Sequence, residues 1–387
     1  MRTQLWSLTL GNFAIGTGAL IVPGMLNELT ADLHVSAAAV GMLISAFALT
    51  VCIGGPFLAS WTTAIERRKL LTAALVLYAV AHVAAAFVPG YESLLAVRVV
   101  TAIGAAIFTA QAAATAGLIV PPDQRGKAIG LVFLGWSIAA VVGVPLGAYL
   151  GAHIGWRLTI ALVGAMSALL AVWVWIQIPP RLFVAPMDRA AWQSLFGNRP
   201  LLLAIASTAL QAIGQFTIFS YMARVLKDFI AASPTTISLM FLCFGMTGVL
   251  GNVIGTRVMD RVGAARVSLV AMGCMATALV FWPLTRDSLA VTVAMILLWG
   301  LGCFAVNSAQ QTRLVGLAPN LASASVALNS SALYFGQALG AFIGGIIITA
   351  EGTSRLSIIG AVLVVIAMAV SHLAASMSSR ALCVKPA

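Results

Sequence analysis

Few side chains in this chain can hold or move a charge away from its loops, and that scarcity bounds the chemistry. All ten acidic residues (Glu28, Asp32, Glu66, Glu92, Asp123, Asp188, Asp228, Asp260, Asp287 and Glu351) fall in loops or at the ends of apolar segments. Only Arg98 and His82 bring a titratable group well inside such a segment. No HExxH, CxxC or CxxH spacing offers a metal site, and no glycine-lysine loop offers a nucleotide phosphate site. The five cysteines (Cys52, Cys243, Cys274, Cys303 and Cys383) are scattered, four of them in apolar runs, and are expected to pack as small apolar side chains. No catalytic constellation, cofactor or metal is expected.

What remains is uncharged hydrogen bonding. Asn12, Gln111, Gln211 and Gln215 stand in apolar segments, the last two on one helical face. Asn307 and Gln311 share another face beside Gln310, and Asn329, Tyr334 and Gln337 stand in a third group. Each could tie two helices together, worth roughly 0.6 kcal/mol on average in lipid. Together they would line a neutral cavity for a small solute, with Trp136, Phe216, Tyr221 and Trp299 as its apolar faces. His82 reads more readily as a hydrogen-bonded packing residue. Arg98 costs several kcal/mol at membrane depth, roughly 2.5–3.5 on insertion scales, unless it is paired or wet. A functional role is its default reading, and snorkelling from two turns inside the segment is the alternative.

The elements that must position these residues are membrane helices. The chain has 387 residues, 61% hydrophobic and only 8% charged, with mean hydropathy +1.05; a soluble domain would be about a quarter charged. Apolar stretches of spanning length, about 20 residues, fall at 5–26, 37–61, 69–88, 92–119, 127–150, 156–178, 200–224, 234–257, 265–284, 287–310, 322–347 and 353–376. They lack barrel alternation, so twelve transmembrane helices are expected. The first stretch is too long for a signal-peptide core and no small-residue cleavage site follows it.

Fifteen of the 21 Lys and Arg residues fall on one side of these spans, five on the other, and Arg98 within the fourth. By the positive-inside rule both termini are cytoplasmic. The net charge of +11 is then spread over loops facing anionic lipid, and no basic patch with interleaved aromatics suggests nucleic acid.

The two halves repeat. Gly54 and Gly251, 197 residues apart, open GGPFLASWTTAIERRK and GNVIGTRVMDRVGAAR, and the same offset carries Gly143 to Gly340 and Gly147 to Gly344. Internal repetition on a hydrophobic chain is the plan of a secondary transporter. It divides the chain into bundles at 1–180 and 200–387, with a linker at 181–199. Within the linker, Met187 to Phe196 suits either an interfacial amphipathic helix or a plain tether. The stripes Gly143-Gly147-Gly151 and Gly336-Gly340-Gly344 permit close helix approach, and their equivalent places suggest the seam where the halves meet. Pro145 weakens its helix locally, as a moving bend or a static kink. In the second-half loop Asp260, Arg261, Gly263 and Arg266 would form a charged hinge, with Asp260 pairing to nearby arginines. The first-half loop keeps only its basic part, Arg67, Arg68 and Lys69.

These motifs resemble the major facilitator superfamily over essentially the whole chain. GNVIGTRVMDRVGAAR resembles its loop motif between the second and third helices, LLAVRVVTAIGAA its fourth-helix motif around Arg98, and VVGVPLGAYLG its fifth-helix motif of efflux members. GQFTIFSYMA and NLASASVALNSSALYFGQALGAFIGG are similar to the bacterial drug and sugar efflux branch, the arabinose-efflux-permease type of twelve-helix drug:proton antiporter. The resemblance implies the major facilitator fold, alternating access and efflux across the inner membrane, with Arg67, Arg68, Arg98, Gly143, Pro145, Gly147, Gly251, Asp260, Arg261, Gly263, Arg266, Gly340 and Gly344 serving the conformational change. Two departures matter: the branch carries a glutamate where this chain has Ala19, and an asparagine where it has Tyr334. Protons, if coupled, would need His82 or an acid at a cavity mouth. The expectation is a monomeric exporter of a drug-like compound, sugar or related metabolite. The alternatives are a proton-independent facilitator or importer of a neutral or anionic solute, and a non-transporting receptor.

Overall fold

The computed structural model describes residues 2–121, 124–183 and 196–383. Among them there is helix and no strand. The helices are α1 (Arg2–Gly24), α2 (Leu26–Asp32), α3 (Ala37–Trp61), α4 (Arg67–Phe87), α5 (Tyr91–Ile119), α6 (Arg125–Ile138), α7 (Val144–Ile154), α8 (Trp156–Gln177), α9 (Arg199–Phe219), α10 (Met222–Ile230), α11 (Pro234–Val262), α12 (Ala264–Val280), α13 (Leu289–Leu317), α14 (Ala322–Glu351) and α15 (Leu356–Cys383). Ser36, Asn198 and Ser288 cap α3, α9 and α13 by accepting from the backbone N–H three residues on.

Eleven helices, counting α6 to α7 as one, are long and apolar enough to cross a membrane. The expected span at 265–284 is divided: α12 has 17 residues and a 3₁₀ turn, Trp282–Thr285, follows it. The interfacial helix considered at Met187–Phe196 falls almost wholly on 187–195, outside the described residues.

The chain forms two compact units. The first contains Met1–Pro186 with Tyr221–Lys227 and Ala232–Leu242, and the second the remainder. In the first, α1 lies against α6, α7 and α8, while α4 packs on α5 and α8. In the second, α9 lies against α14 and α15, while α12 packs on α13 and α15. Within each unit the first span therefore meets the fifth and sixth, and the third meets the fourth and sixth or the corresponding pair. The sequence repeat is a repeat of packing.

Five of the six stripe glycines meet a helix of their own unit, where the expectation had put a helix of the opposite half. Cβ atoms built at Gly143 and Gly147 would overlap Thr17 and Ile21 of α1, and one at Gly151 would lie 2.6 Å from Met25 Cγ. In the second unit, Cβ atoms at Gly336 and Gly340 would lie 2.6 and 2.5 Å from the carbonyl oxygens of Ala209 and Ile213 on α9. Spacing identifies the small-residue face of a helix, but it carries no information about which helix meets that face.

Between α6 and α7 the backbone makes a π-turn over Ala139–Gly143. Val144 N–H reaches back five residues to Ala139 O. Pro145, the next residue, has no N–H to give and its ring would crowd the carbonyl four residues back; the wider turn accommodates both. Its own carbonyl accepts a hydrogen bond from Ser238 Oγ at 2.7 Å.

Candidate functional site

The buried polar groups fall into separate clusters, each within one unit. In the first unit one is built around Arg98, two turns into α5 and 3% exposed. Its Nη1 donates to Gly18 O at 2.9 Å. The guanidinium lies over the Phe47 ring, 4.5 Å from the centroid. Nε and Nη2 are buried and have no hydrogen-bond partner. Gly18 is held closely: a Cβ there would overlap Tyr78 Oη and His82 Nε2. Tyr78 Oη donates to Ile15 O at 2.8 Å. His82 Nδ1 lies 2.9 Å from Tyr78 O. A carbonyl only accepts, so Nδ1 carries the proton and a neutral His82 presents a lone pair at Nε2, which has no partner. Ala19, next along α1, is 2% exposed.

Asn12, on the same helix, donates to Val132 O at 3.2 Å while its Oδ1 is buried without a partner. Trp136 is half-buried with its ring against Gly16. Tyr221 is wholly buried within the first unit, its hydroxyl directly over Gly41.

A second cluster joins two residues that the sequence had kept apart. Arg67 is fully buried. Its guanidinium donates to Gln111 Oε1, to Thr62 O and, at 3.0 Å, to Thr63 O. Gln111 Nε2 faces Thr62 Oγ1 at 3.4 Å. Gln111, expected in the cavity, is thus engaged in clasping the loop between α3 and α4. The start of the linker joins the same loop, through Arg67 N–H to Leu182 O and Arg181 N–H to Glu66 Oε1. Arg68 instead stacks on Trp175, 4.0 Å from the ring centroid.

In the second unit Gln211 donates to Gln215 Oε1 at 2.7 Å, and Gln215 Nε2 lies 3.0 Å from Cys303 Sγ. Gln310 is buried and bonds Ala204 O and Ser207 Oγ. Asn307, Gln311 and Tyr334 are half-buried, Gln337 is buried, and Asn329 Oδ1 is buried without a partner. Trp299 lies at the centre of an aromatic group with Phe219, Phe244 and Trp282. It is core and no cavity wall. The charged hinge is not a pairing site: Asp260 is exposed on the last turn of α11 and makes no ion pair among the described residues. Exposed ion pairs contribute so little that nothing holds these long side chains together. Gly263 follows with φ 86°, a conformation that side chains resist.

One acid was missed as a titrating group. Glu28 on α2 has a buried Oε2 without a partner. Burial pushes its pKa above the ordinary 4.5, against the smaller opposing pulls of its own backbone N–H and Lys227. A carboxylate raised in the fold stabilises it in the protonated form, so this contribution is complete below pH about 4.5 and is lost as pH rises through the raised value. Glu28→Gln is expected to flatten that part of the profile and to raise thermal stability at neutral pH. Unfolding scans in detergent from pH 4.5 to 7.5 check it, and parallel profiles for the two proteins would contradict it.

Comparison with known proteins gives one consistent result. The profile of the Major Facilitator Superfamily matches residues 8–341 and 205–380. The inner membrane transport protein YdhP of Escherichia coli (strain K12) is 28% identical, over 98% of both chains. A probable sugar efflux transporter of Helicobacter pylori (strain G27) is 27% identical, over 95% of this chain and 93% of its own. Among solved structures, the D-xylose-proton symporter superposes with a TM-score of 0.78 at 17% identity, over 96% of this chain and 97% of that one.

Proposed function

Because the chain belongs to the major facilitator superfamily, and so is a membrane transporter and not an enzyme, we propose that it moves a small, hydrogen-bonding organic solute outward across the bacterial inner membrane by alternating access. The observation that carries this is the set of uncharged polar groups with bonding capacity left over inside the spans. Asn12 Oδ1 in the first unit and Asn329 Oδ1 in the second are buried acceptors without partners, and Asn307 and Gln311 are half-buried beside them in type. Buried polar atoms of this kind are costly unless something bonds them during the working cycle. The names of the relatives, one of inner membrane transport and one of sugar efflux, agree with the direction and the compartment. The bias of arginine and lysine supports cytoplasmic termini.

The test is counterflow: proteoliposomes preloaded with unlabelled sugars or drug-like compounds are diluted into labelled compound. Transient accumulation of label is expected for at least one, and its absence across both classes would remove the transport reading.

A second reading, facilitation without protons, is favoured by one observation. No Asp or Glu stands inside the expected spans other than Glu92 and Asp287 at their first residues, and Ala19 occupies the place of the acid of resembling chains. With membrane potential clamped, an imposed pH gradient is then expected to leave the transport rate unchanged. A steep pH drive in the wild type would overturn it, and its loss in His82→Ala or Glu28→Gln would identify the titrating group.

A further inference from the structure

We propose that Arg98 is the docking point for a carboxylate of the transported solute, and that this carboxylate carries a neighbouring hydroxyl which donates to His82. The proposal deepens the transport reading and rests on it for the word transported; the site itself rests on geometry.

A guanidinium has two useful edges. Here Nη1 is committed to Gly18 O and one face is covered by Phe47. The edge left over is the one formed by Nε and Nη2, whose N–H groups point the same way. That pair is the fork that grips a carboxylate through two parallel bonds. Both atoms are buried and without partners, in a residue 3% exposed. No acidic residue forms an ion pair with Arg98 among the described residues. Its fixed neighbours are neutral: the Gly18 carbonyl, the Phe47 ring, Tyr78 and His82. A cation held this way is incompletely compensated, and the group that would complete it is a planar anion of the size of a carboxylate.

His82 sharpens the class. It and Arg98 both border Gly18. With Nδ1–H given to Tyr78 O, its bare Nε2 accepts and does not donate. A second carboxylate oxygen would be repelled there, whereas a hydroxyl on the adjacent carbon would be bonded. The chemistry that satisfies fork and lone pair together is a hydroxycarboxylate.

Thermal unfolding of the detergent-purified protein tests this directly, with sodium glycolate, sodium acetate and neutral glycolamide as probes at matched sodium concentration. Glycolate is expected to stabilise most, acetate less and glycolamide not at all, by mass action at concentrations up to about 100 mM. Arg98→Lys keeps the charge and loses the fork, so the glycolate effect should require at least about tenfold more ligand. Ala19→Glu places a carboxylate beside the Gly18 carbonyl that holds Arg98; it should raise the melting temperature above that of Ala19→Gln and abolish the glycolate response. Equal shifts with glycolate and glycolamide, no shift with glycolate, or a response unchanged in Arg98→Lys would each overturn the proposal. Glycolate equal to acetate would remove the role of His82. Because these are binding measurements, they separate from counterflow: a protein that binds glycolate and moves nothing loses the transport reading and keeps the site.

Discussion

Gly251→Leu is expected to leave almost no folded protein in the membrane, whereas Gly130→Leu should accumulate like the wild type. Both glycines lie within helices of the same membrane protein, so helix propensity and hydrophobicity do not separate them. Contact does. A Cβ at Gly251 would overlap the carbonyl of Leu301 on α13, while one at Gly130 meets nothing within 4 Å. Backbone atoms cannot rotate aside, so a leucine at 251 must part α11 from α13 along their length. Overpacking costs about 1–3 kcal/mol where side chains can shift, and here they cannot. Gly340→Leu, facing Ile213 O, should fail in the same way. Gly147→Leu is milder, because its neighbour is the movable Ile21 side chain. Yield and monodispersity of fluorescent fusions on size exclusion read out the ranking. Equal yields for Gly251→Leu and Gly130→Leu would show that the close approach of α11 to α13 is dispensable.

The second large effect is at Arg67. Arg67→Met is expected to destabilise the protein by about 2–3 kcal/mol, on the scale of hydrogen bonds to a charged group whose buried acceptors are left behind. Gln111 Oε1 would lose its donor, and Thr62 O and Thr63 O their bonds to the guanidinium, with Thr62 O keeping Ile65 N–H. Arg67→Lys should recover less than half of this, since an ammonium cannot span three acceptors on two segments. Arg68→Ala should cost only about 0.5–1 kcal/mol, the lower end of the scale for a cation–π contact, here that of the half-buried guanidinium on Trp175. Thermal unfolding in detergent checks the order. If Arg67→Met and Arg68→Ala were equal, the clasp would be ornamental.

The fold was legible because lipid leaves few choices. Apolar runs separated by charged breaks mark helices, and the offset between Gly54 and Gly251 marks the repeat; among the described residues eleven of the twelve expected spans are recovered in place, with the ninth divided at Trp282. The site was legible only as an inventory. That Asn12, Gln215 and Arg98 are buried inside helices follows from sequence; which partner each has does not. Gln111 looked like a cavity residue because nothing within a few residues explains it, yet its partner lies 44 positions away. Gly18 stood out in no pattern, and its carbonyl is what holds Arg98. Asp260 looked like a hinge because charges stood near it in sequence, and exposure leaves them unpaired. In each case the missing information is long-range juxtaposition, which periodicity does not contain.

The π-turn at Ala139–Gly143 has a consequence for how this span is counted. Each residue of an α-helix advances about 100° around the axis. Gly135 and Gly143 are eight residues apart, which in an uninterrupted helix would set them about 80° out of phase. Yet both face α1, at Thr9 and Thr17 respectively. The turn absorbs one residue, so the effective separation is seven and the mismatch falls to about 20°. The contact line therefore runs unbroken through a place where the numbering slips by one. Aligned against a chain whose helix is regular here, this one would match only with a single-position gap, and a gap that would look like damage in a helix is what keeps the two faces in step.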